Sequence, residues 1–398
     1  MRKILLTVLL HSAIQASAQW TTLNSGTMQD LYDAFFVHPD TGWVVGEAGT
    51  IIKTTDGGTT WTPQTSNSTE RLNSVYFLNA NKGFSVGSSG SILSTTNGGA
   101  TWTVQPSGKL YTLSTVYFFN SSHGYLVGDV NTIFRTTNGG TTWTQVLDSF
   151  GGFLTSVCFT SIDTGFAVGE LGEILKTTNG GLNWSYEPFF TNSWFESVNF
   201  TSPSTGYIFG RNDTIFKTTN GGATWFPLMS GINPAHSLFA SQFTNANTGY
   251  AVGNAGTIIK TADAGANWSA QPNPLAGSNT SLFSVFFANA NVGYAVGTMG
   301  QILKTTNGGG TLGIDGETAT RQDLIFQNPV TGNAPLELVY TGKAADIRIL
   351  DMNGAITRSV PIRSGRQSID LSGLGSGLYI IELISGSGLQ RHKLLIRR

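Results

Sequence analysis

Side chains that could do chemistry are few in this sequence. Between residues 19 and 310 there are only three arginines, Arg71, Arg135 and Arg211, and the candidate acids Glu47, Asp129, Glu170 and Glu196 are scattered. Ordinary glycoside hydrolysis needs two carboxylates about 5 to 10 Å apart across a cleft, so acids this dispersed become catalytic only if the fold gathers them. A sialidase would also need an arginine cluster for its substrate's carboxylate. Three arginines, one of them in a repeated lysine column, do not supply it. His38, His123, His236 and His392 stand alone, without the paired spacing of zinc sites, so no metal and no cofactor is expected. The Gly-Gly pairs recur once per repeat and read as turns, not phosphate-cradling loops. Cys158, the only cysteine, lies in an apolar segment and reads as a packed small residue. We assign no catalytic residue.

The elements that must position these side chains follow from a repeat. Trp20, Trp61, Trp102, Trp143, Trp184 and Trp225 are each 41 residues apart, and Trp268 follows after 43, a period typical of propeller blades. The second unit shows four short segments rich in β-branched and aromatic residues: strand A Leu72–Phe77, strand B Gly83–Val86, strand C Ser91–Ser94 and strand D Thr101–Val104. Phe36, Phe77, Phe118, Phe159, Phe200, Phe243 and Phe287 close the successive A strands. Sheets covered on both faces need apolar residues throughout, and four-stranded sheets stacked about an axis meet that need.

The last unit runs to Thr305-Thr306-Asn307-Gly308-Gly309 but lacks its Trp strand, whereas Gln19-Trp20-Thr21 is a strand D with no unit before it. The N-terminal strand therefore completes the last sheet. The expected fold is all-β: a seven-bladed β-propeller closed by the N-terminal strand, followed by a small C-terminal β-sandwich domain.

In a propeller the B–C loops and the D–A connections share one face, here called the upper face. The B–C loops would bring Glu47, Asp129, Glu170 and Arg211 to it, and the D–A connections Arg71, Phe189, Phe190 and Trp194. Glu196 joins them as the only charge in a strand-A column otherwise made of Tyr32, Asn73, Ser114, Thr155, Phe239 and Phe283. Phe150, Phe153, Phe189, Phe190 and Trp194 gather around the fourth unit, as the exposed aromatics of a binding patch do. These nine residues, Glu47, Arg71, Asp129, Glu170, Phe189, Phe190, Trp194, Glu196 and Arg211, form the candidate ligand-binding set, for a protein or glycan partner. Arg135 falls in the strand-C column of Lys53, Lys176, Lys217, Lys260 and Lys304, whose stems are expected to cover apolar surface and touch the strand-D tryptophans.

Residues 1–18 have the three parts of a secretory signal: basic Arg2 and Lys3, apolar Ile4–Leu10 and the small residues Ala16-Ser17-Ala18. No stretch is long and apolar enough for a transmembrane helix. Residues 19–320 hold 10 Lys and Arg against 17 Asp and Glu. This acidic balance argues against nucleic acid, whose phosphates need clustered bases. The organisation expected is a signal at 1–18, a propeller at 19–310, a linker at 311–322 and a second domain at 323–398.

Thr54-Thr55-Asp56-Gly57-Gly58-Thr59-Thr60-Trp61 fits the Asp-box form, with Asn97, Asn138, Asn179, Asn220 and Asn307 replacing the Asp elsewhere. With Gly42–Trp61 nearly intact to the pattern, residues 19–310 resemble BNR/Asp-box propellers, most closely the photosystem II stability and assembly factor-like repeats. Asn328-Pro329, Ile347–Gly354, Ile369–Ile380 and Lys393–Ile396 resemble the C-terminal sorting domain of type IX secretion cargo from the Bacteroidota. Alternating apolar residues around Asn353-Gly354 also read independently as a hairpin with a type I′ turn. The second resemblance implies engagement of the type IX machinery and a secreted or cell-surface, outer-membrane-associated location. Organisms with that machinery are heterotrophs, so the first resemblance transfers a mode, a propeller holding a protein partner, and not the photosystem. The alternatives are a carbohydrate-active hydrolase of the sialidase/Asp-box type and an envelope assembly factor.

Overall fold

The computed structural model describes residues 20–148, 152–187, 191–231, 236–310, 324–326, 330–332, 334–340, 345–351, 355–385 and 388–398. The proposed signal, Gln19, Phe150, Phe189, Phe190, the linker, Asn328-Pro329 and the Asn353-Gly354 turn lie outside the described residues. Backbone contacts divide the chain after Gly310 into two units.

The first unit holds seven antiparallel four-stranded sheets in A-B-C-D order. In the second blade they are Leu72–Phe77, Gly83–Gly87, Ile92–Thr95 and Thr103–Gln105. Strand D starts later than the sequence suggests because Thr101 is held in the preceding turn, its N–H donating to Asn97 Oδ1 at 2.9 Å. In the seventh blade Leu282–Phe287, Gly293–Gly297 and Gln301–Thr305 are completed by Thr21–Asn24, with Thr21 opposite Lys304 and Asn24 opposite Gln301.

Each junction between blades is built from the same aromatic pair. The second residue of strand B stacks on the Phe that ends strand A of the next blade: Trp43 on Phe77 at 3.6 Å between centroids, Tyr125 on Phe159 at 4.0 Å, Tyr250 on Phe287 at 3.9 Å, and Tyr294 on Phe36 at 3.8 Å across the closure. Within each blade the strand-D Trp meets that Phe edge-on, as Trp102 does Phe77 at 5.9 Å. Edge-to-face and offset contacts are the favoured aromatic geometries, each adding about 0.5–1.5 kcal/mol beyond burial. Apolar clusters accordingly span neighbouring blades, and the core is distributed around the ring.

The Asx turns are structural. Asp56 Oδ1 accepts from the Thr54 hydroxyl and the Thr60 N–H, both at 2.9 Å, and its Oδ2 from the Thr60 hydroxyl at 2.6 Å. Gly57 and Gly58 take φ of 70° and 86° there, the left-handed region that glycine enters without cost. Asn97 repeats the arrangement through Thr95 and Thr101.

The lysine column differs from expectation. These ammonium groups lie over strand-B rings, Lys53 over Trp43 at 5.0 Å and Lys304 over Tyr294 at 5.5 Å, instead of touching the strand-D tryptophans. Each also donates to a turn carbonyl of the next blade, as Lys53 does to Gly98 at 2.8 Å and Lys304 to Gly57 at 2.6 Å. The reason is geometric: strand C neighbours strand B, so a side chain crossing toward the next blade passes over the strand-B ring first. In the second blade Ser94 occupies the column, and Lys82 from the A–B turn puts its ammonium over Phe84 at 5.9 Å.

The second unit pairs a three-stranded sheet, Leu324–Phe326, Leu336–Tyr340 and Gly365–Ile369, with a five-stranded one containing Ala345–Leu350, Ile356–Ile362, Gly377–Ser385 and Gly388–Arg397. Leu336, Leu338 and Ile369 of one sheet share a core with Ile347, Ile349, Ile381 and Leu394 of the other, which makes a β-sandwich. Ala345–Leu350 and Ile356–Ile362 pair antiparallel, with Leu350 opposite Ile356.

Candidate functional site

Three backbone positions recur at the upper face of every blade, and one hydrogen bond ties two of them together. The first B–C loop residue donates its N–H to the carbonyl of the residue just before strand A: Glu47 to Asp30, Ser88 to Arg71, Asp129 to Thr112, Glu170 to Phe153 and Arg211 to Trp194, at 2.8–3.1 Å. The third position is the second residue of strand A. In all seven blades the A–B register shifts there, between Leu31 and Asp33, Leu72 and Ser74, Phe195 and Ser197, and so on round the ring. Such bulges re-aim a side chain. Here the re-aimed residues line a central cavity of about 550 Å³, walled by the A strands and by Arg71, Phe153 and Arg211.

The re-aimed ring divides into two arcs. In the second to fourth blades its polar groups are spent on the fold, Asn73 donating to the Leu113 carbonyl at 2.8 Å, Ser114 to that of Leu154, and Thr155 to that of Phe195 at 2.8 Å. In the sixth, seventh and first blades it is aromatic. Phe239 lies 5.7 Å from Phe283, and Phe283 lies 5.1 Å from Tyr32, each ring half-buried and facing the cavity.

Charged groups sit where the arcs meet. The Arg211 guanidinium stacks on Trp194 at 3.9 Å, and its Nε donates to Glu196 Oε1 at 2.8 Å. Burial raises the Glu196 carboxyl above its ordinary range, and Arg211 opposes that rise. Phe153 extends this group, 6.3 Å from Trp194. At the other junction the Arg71 guanidinium lies 5.3 Å from the Tyr32 ring, whose hydroxyl donates to Glu47 Oε2 at 3.0 Å. Burial, then the Glu47 carboxylate, pushes the Tyr32 phenol up to about 12. Arg71 Nε is buried and without a hydrogen-bond partner.

The structure thus gathers Arg71, Glu196 and Arg211 around the cavity, with Trp194 beneath Arg211 and Glu47 tied in through Tyr32. Asp129 and Glu170 hold the same loop position as Glu47 and Arg211 but are not among the residues lining the cavity. Phe189 and Phe190 lie outside the described residues. Sequence reasoning passed over Tyr32, Phe239 and Phe283, although their column was visible, because a bulge that turns a column inward leaves no mark in the residue types.

It also passed over Asp33, on the cavity wall directly below. Asp33 Oδ1 accepts from the Ala34 N–H at 2.9 Å and the Ser284 hydroxyl at 2.8 Å, and Oδ2 from the Val75 N–H at 2.9 Å and the Ser74 hydroxyl at 3.0 Å. Burial raises this carboxyl, and those four donors, Val75 foremost, oppose the rise. The available signal was that Asp33 is the one charge in a column of Ser74, Thr115, Ser156, Ser197, Ala240 and Ser284.

A ring of seven four-stranded blades around a side-chain-lined cavity defines a β-propeller. The sequence profile of the family described as photosynthesis system II assembly factor YCF48 matches residues 12–111, 106–191 and 228–314, and the chain belongs to that family. Residues 324–397 match the secretion system C-terminal sorting domain, which marks cargo of the type IX route. Among solved structures, YCF48 bound to D1 peptide is similar with 21% identity and a TM-score of 0.63, over 73% of this chain and 95% of that one. YCF48 from Cyanidioschyzon merolae is similar with 21% identity and a TM-score of 0.62, over 72% and 98%. PorZ, a surface component of the type IX secretion system of Porphyromonas gingivalis, is similar with 12% identity and a TM-score of 0.59, over 93% of this chain and 60% of that one. These likenesses concern the fold. No curated protein matches the chain. No helix among the described residues is long and apolar enough to cross a membrane.

Proposed function

We propose that this protein is a non-enzymatic binding module, exported by the type IX route to the cell surface or the medium, and that it holds a protein partner at the upper mouth of its propeller. The observation that carries this reading is the half-buried arc of Tyr32, Phe283 and Phe239 facing a cavity whose ring positions Asn73, Ser114 and Thr155 are spent on holding blades together and whose Glu196 is paired with Arg211. Apolar rings facing an open cavity, flanked by a few placed polar groups, are what a recognition pocket requires. The solved relative in complex with a peptide supports a protein over a glycan as the partner.

The carboxylates that line the cavity support the non-enzymatic part. Asp33 accepts four hydrogen bonds and Glu196 is paired with Arg211, whereas acid–base hydrolysis needs one carboxyl free to donate a proton and another free to attack or activate water. The test is affinity capture from the surface and secreted fractions of the host, comparing the native protein with Phe283→Ala. A partner retained by the native chain and lost from the variant supports the reading. Turnover of glycosides that survives the same substitution would refute it.

A further inference from the structure

We infer that Asn307 is a site of spontaneous modification: its side chain closes with the Gly308 backbone nitrogen to a succinimide, and hydrolysis leaves an isoaspartyl link in the turn of the blade that seals the ring. This stands apart from the binding reading above.

The argument begins with one tripeptide repeated in the propeller. Asn97, Asn138, Asn179, Asn220 and Asn307 are each followed by Gly-Gly, so in an unfolded chain all five react alike, with no side chain to hinder the attacking nitrogen. In the folded chain that nitrogen is engaged equally: the N–H groups of Gly98, Gly139, Gly180, Gly221 and Gly308 each donate to an A–B turn carbonyl at 2.8–2.9 Å. What differs is the hold on the asparagine amide. Attack needs that amide to rotate until Cγ lies against the nitrogen.

Asn97, Asn138 and Asn220 are fastened at three points. Each Oδ1 accepts from the hydroxyl of the threonine two residues before and from the N–H of the threonine four residues on, and each Nδ2 donates to that second threonine's hydroxyl, all at 2.8–3.0 Å. Asn179 keeps the two Oδ1 bonds at 3.0 Å, but Asn183 stands where the threonine would receive its Nδ2. Asn307 keeps the Thr305 hydroxyl at 2.9 Å, its Nδ2 reaches the Gly310 carbonyl at 3.2 Å, and no N–H donates to its Oδ1 among the described residues. Closure is the cause. This blade takes its strand D from Thr21–Asn24, so the chain here does not continue into the strand that steadies the other four turns.

The reaction needs only water and solvent base. The Gly308 nitrogen gives up its proton and bonds to Asn307 Cγ, the Cγ–Nδ2 bond breaks, and ammonia leaves. Water then opens the succinimide at one of its two carbonyls. Opening at Cγ gives an aspartyl residue, which such a turn accommodates, as Asp56 shows. Opening at the backbone carbonyl gives the isoaspartyl link, whose main chain is longer by one carbon. That displaces the Gly308 carbonyl, which accepts from the Tyr250 hydroxyl and the Lys260 ammonium, both at 2.7 Å, across the junction of the sixth and seventh blades.

The test ages the full chain in mildly alkaline heavy-oxygen water and follows each turn by peptide mass spectrometry, beside a sample held unfolded in guanidinium chloride. The folded protein should deamidate at Asn307 about tenfold faster than at Asn97, Asn138 and Asn220, with Asn179 between, because each missing hydrogen bond shifts the reactive rotamer's population severalfold. In the unfolded sample the five should react at similar rates. Equal rates in the folded protein overturn the proposal. So does the same ranking in guanidinium chloride, which would assign it to local sequence. Asn307→Asp, which has no amide to lose, should unfold at the same temperature as the fresh native chain, and after ageing it should be the more stable of the two. Asn353-Gly354, outside the described residues, is the same in both chains and cancels from this comparison. Aged chains of equal stability, with isoaspartate present at position 307, would reject the loosened junction.

Discussion

Trp20 meets Phe287 edge-on, with ring centroids 5.8 Å apart and planes at 86°. The same contact joins Trp61 to Phe36 at 6.2 Å and Trp102 to Phe77 at 5.9 Å. What differs is only the chain path: in the first to sixth blades both rings come from one repeat, and in the seventh they come from opposite ends of the propeller. The ring is therefore fastened by an ordinary blade contact made at long range, and the seventh blade exists only when the N-terminal strand is in place.

Trp20→Ala should cost about 3–5 kcal/mol, the range for emptying a buried aromatic site. Trp20 is fully buried in the core and Trp102 nearly so, so Trp102→Ala should cost a similar amount. Urea unfolding of both variants checks this. A small loss for Trp20→Ala beside a large one for Trp102→Ala would mean that the ring holds without its closing strand.

Lys304 and Tyr294 both donate to the Gly57 carbonyl, at 2.6 and 3.0 Å, across the closing junction. Lys304→Met keeps the apolar stem and removes the charge-assisted bond, and should cost about 1.5–3 kcal/mol. Thermal unfolding reads the loss directly. A variant as stable as the native protein would show that the tyrosine alone satisfies the carbonyl.

Asp33 gives the ring a defined pH response. Burial raises its folded-state pKa above the usual carboxylate value, so folding favours the protonated form. Its contribution is fully present below the unfolded pKa and declines as pH rises through the raised folded value. The stability of the native chain relative to Asp33→Asn should therefore fall over that interval of rising pH. Urea titrations at pH 3 to 8 on both proteins give the comparison, and a difference that grows with pH would reverse the sign.

Asp56 and Asp263 titrate the other way. Hydrogen bonds from the Thr60 side chain and backbone lower Asp56 to about 2, and those from Asn267 lower Asp263 to about 2. Their contribution is present above the unfolded carboxylate pKa and lost as pH falls toward 2. Carboxyl carbon NMR should find both groups still ionised at pH 3. Asp56→Asn should be nearly neutral at pH 7, because Asn97 makes the equivalent bonds to Thr95 and Thr101.

Arg211→Ala would leave Glu196, whose side chain is only 14% exposed, without its charged partner. The Glu196 carboxyl, already raised by burial, should rise further and take up its proton at higher pH. NMR titration of Glu196 in the two proteins checks the direction, and an unchanged midpoint would mean that Arg211 is too exposed to matter.

Much of the architecture was legible because it is periodic. A Trp, a Phe and a Gly-Gly turn in each repeat mark strand D, the end of strand A and the C–D turn, since each blade must present the same surfaces to its neighbours. The stray Trp20 at one end and the missing Trp strand at the other fixed the closure from residue types alone. The upper-face positions of Arg71, Trp194, Glu196 and Arg211 followed from the same register, because strand alternation assigns loops to faces. The role of the lysine column did not follow. Lys53 and Gly98 are in different repeats, and nothing local records which carbonyl an ammonium will reach.

By itself, then, the sequence determined which residues recur and how many blades the chain can build, because burial on both faces of every sheet leaves a pattern in residue type. The tertiary structure alone decided which chemically capable side chains remain free. Bulges at the start of each strand A turn Tyr32, Phe239 and Phe283 into the cavity, and hydrogen bonds between blades occupy Asn73, Ser114 and Thr155. Arg71 is left with an unmet N–H at the mouth. Such accounting depends on distances across blades, and those come into being only when the ring closes.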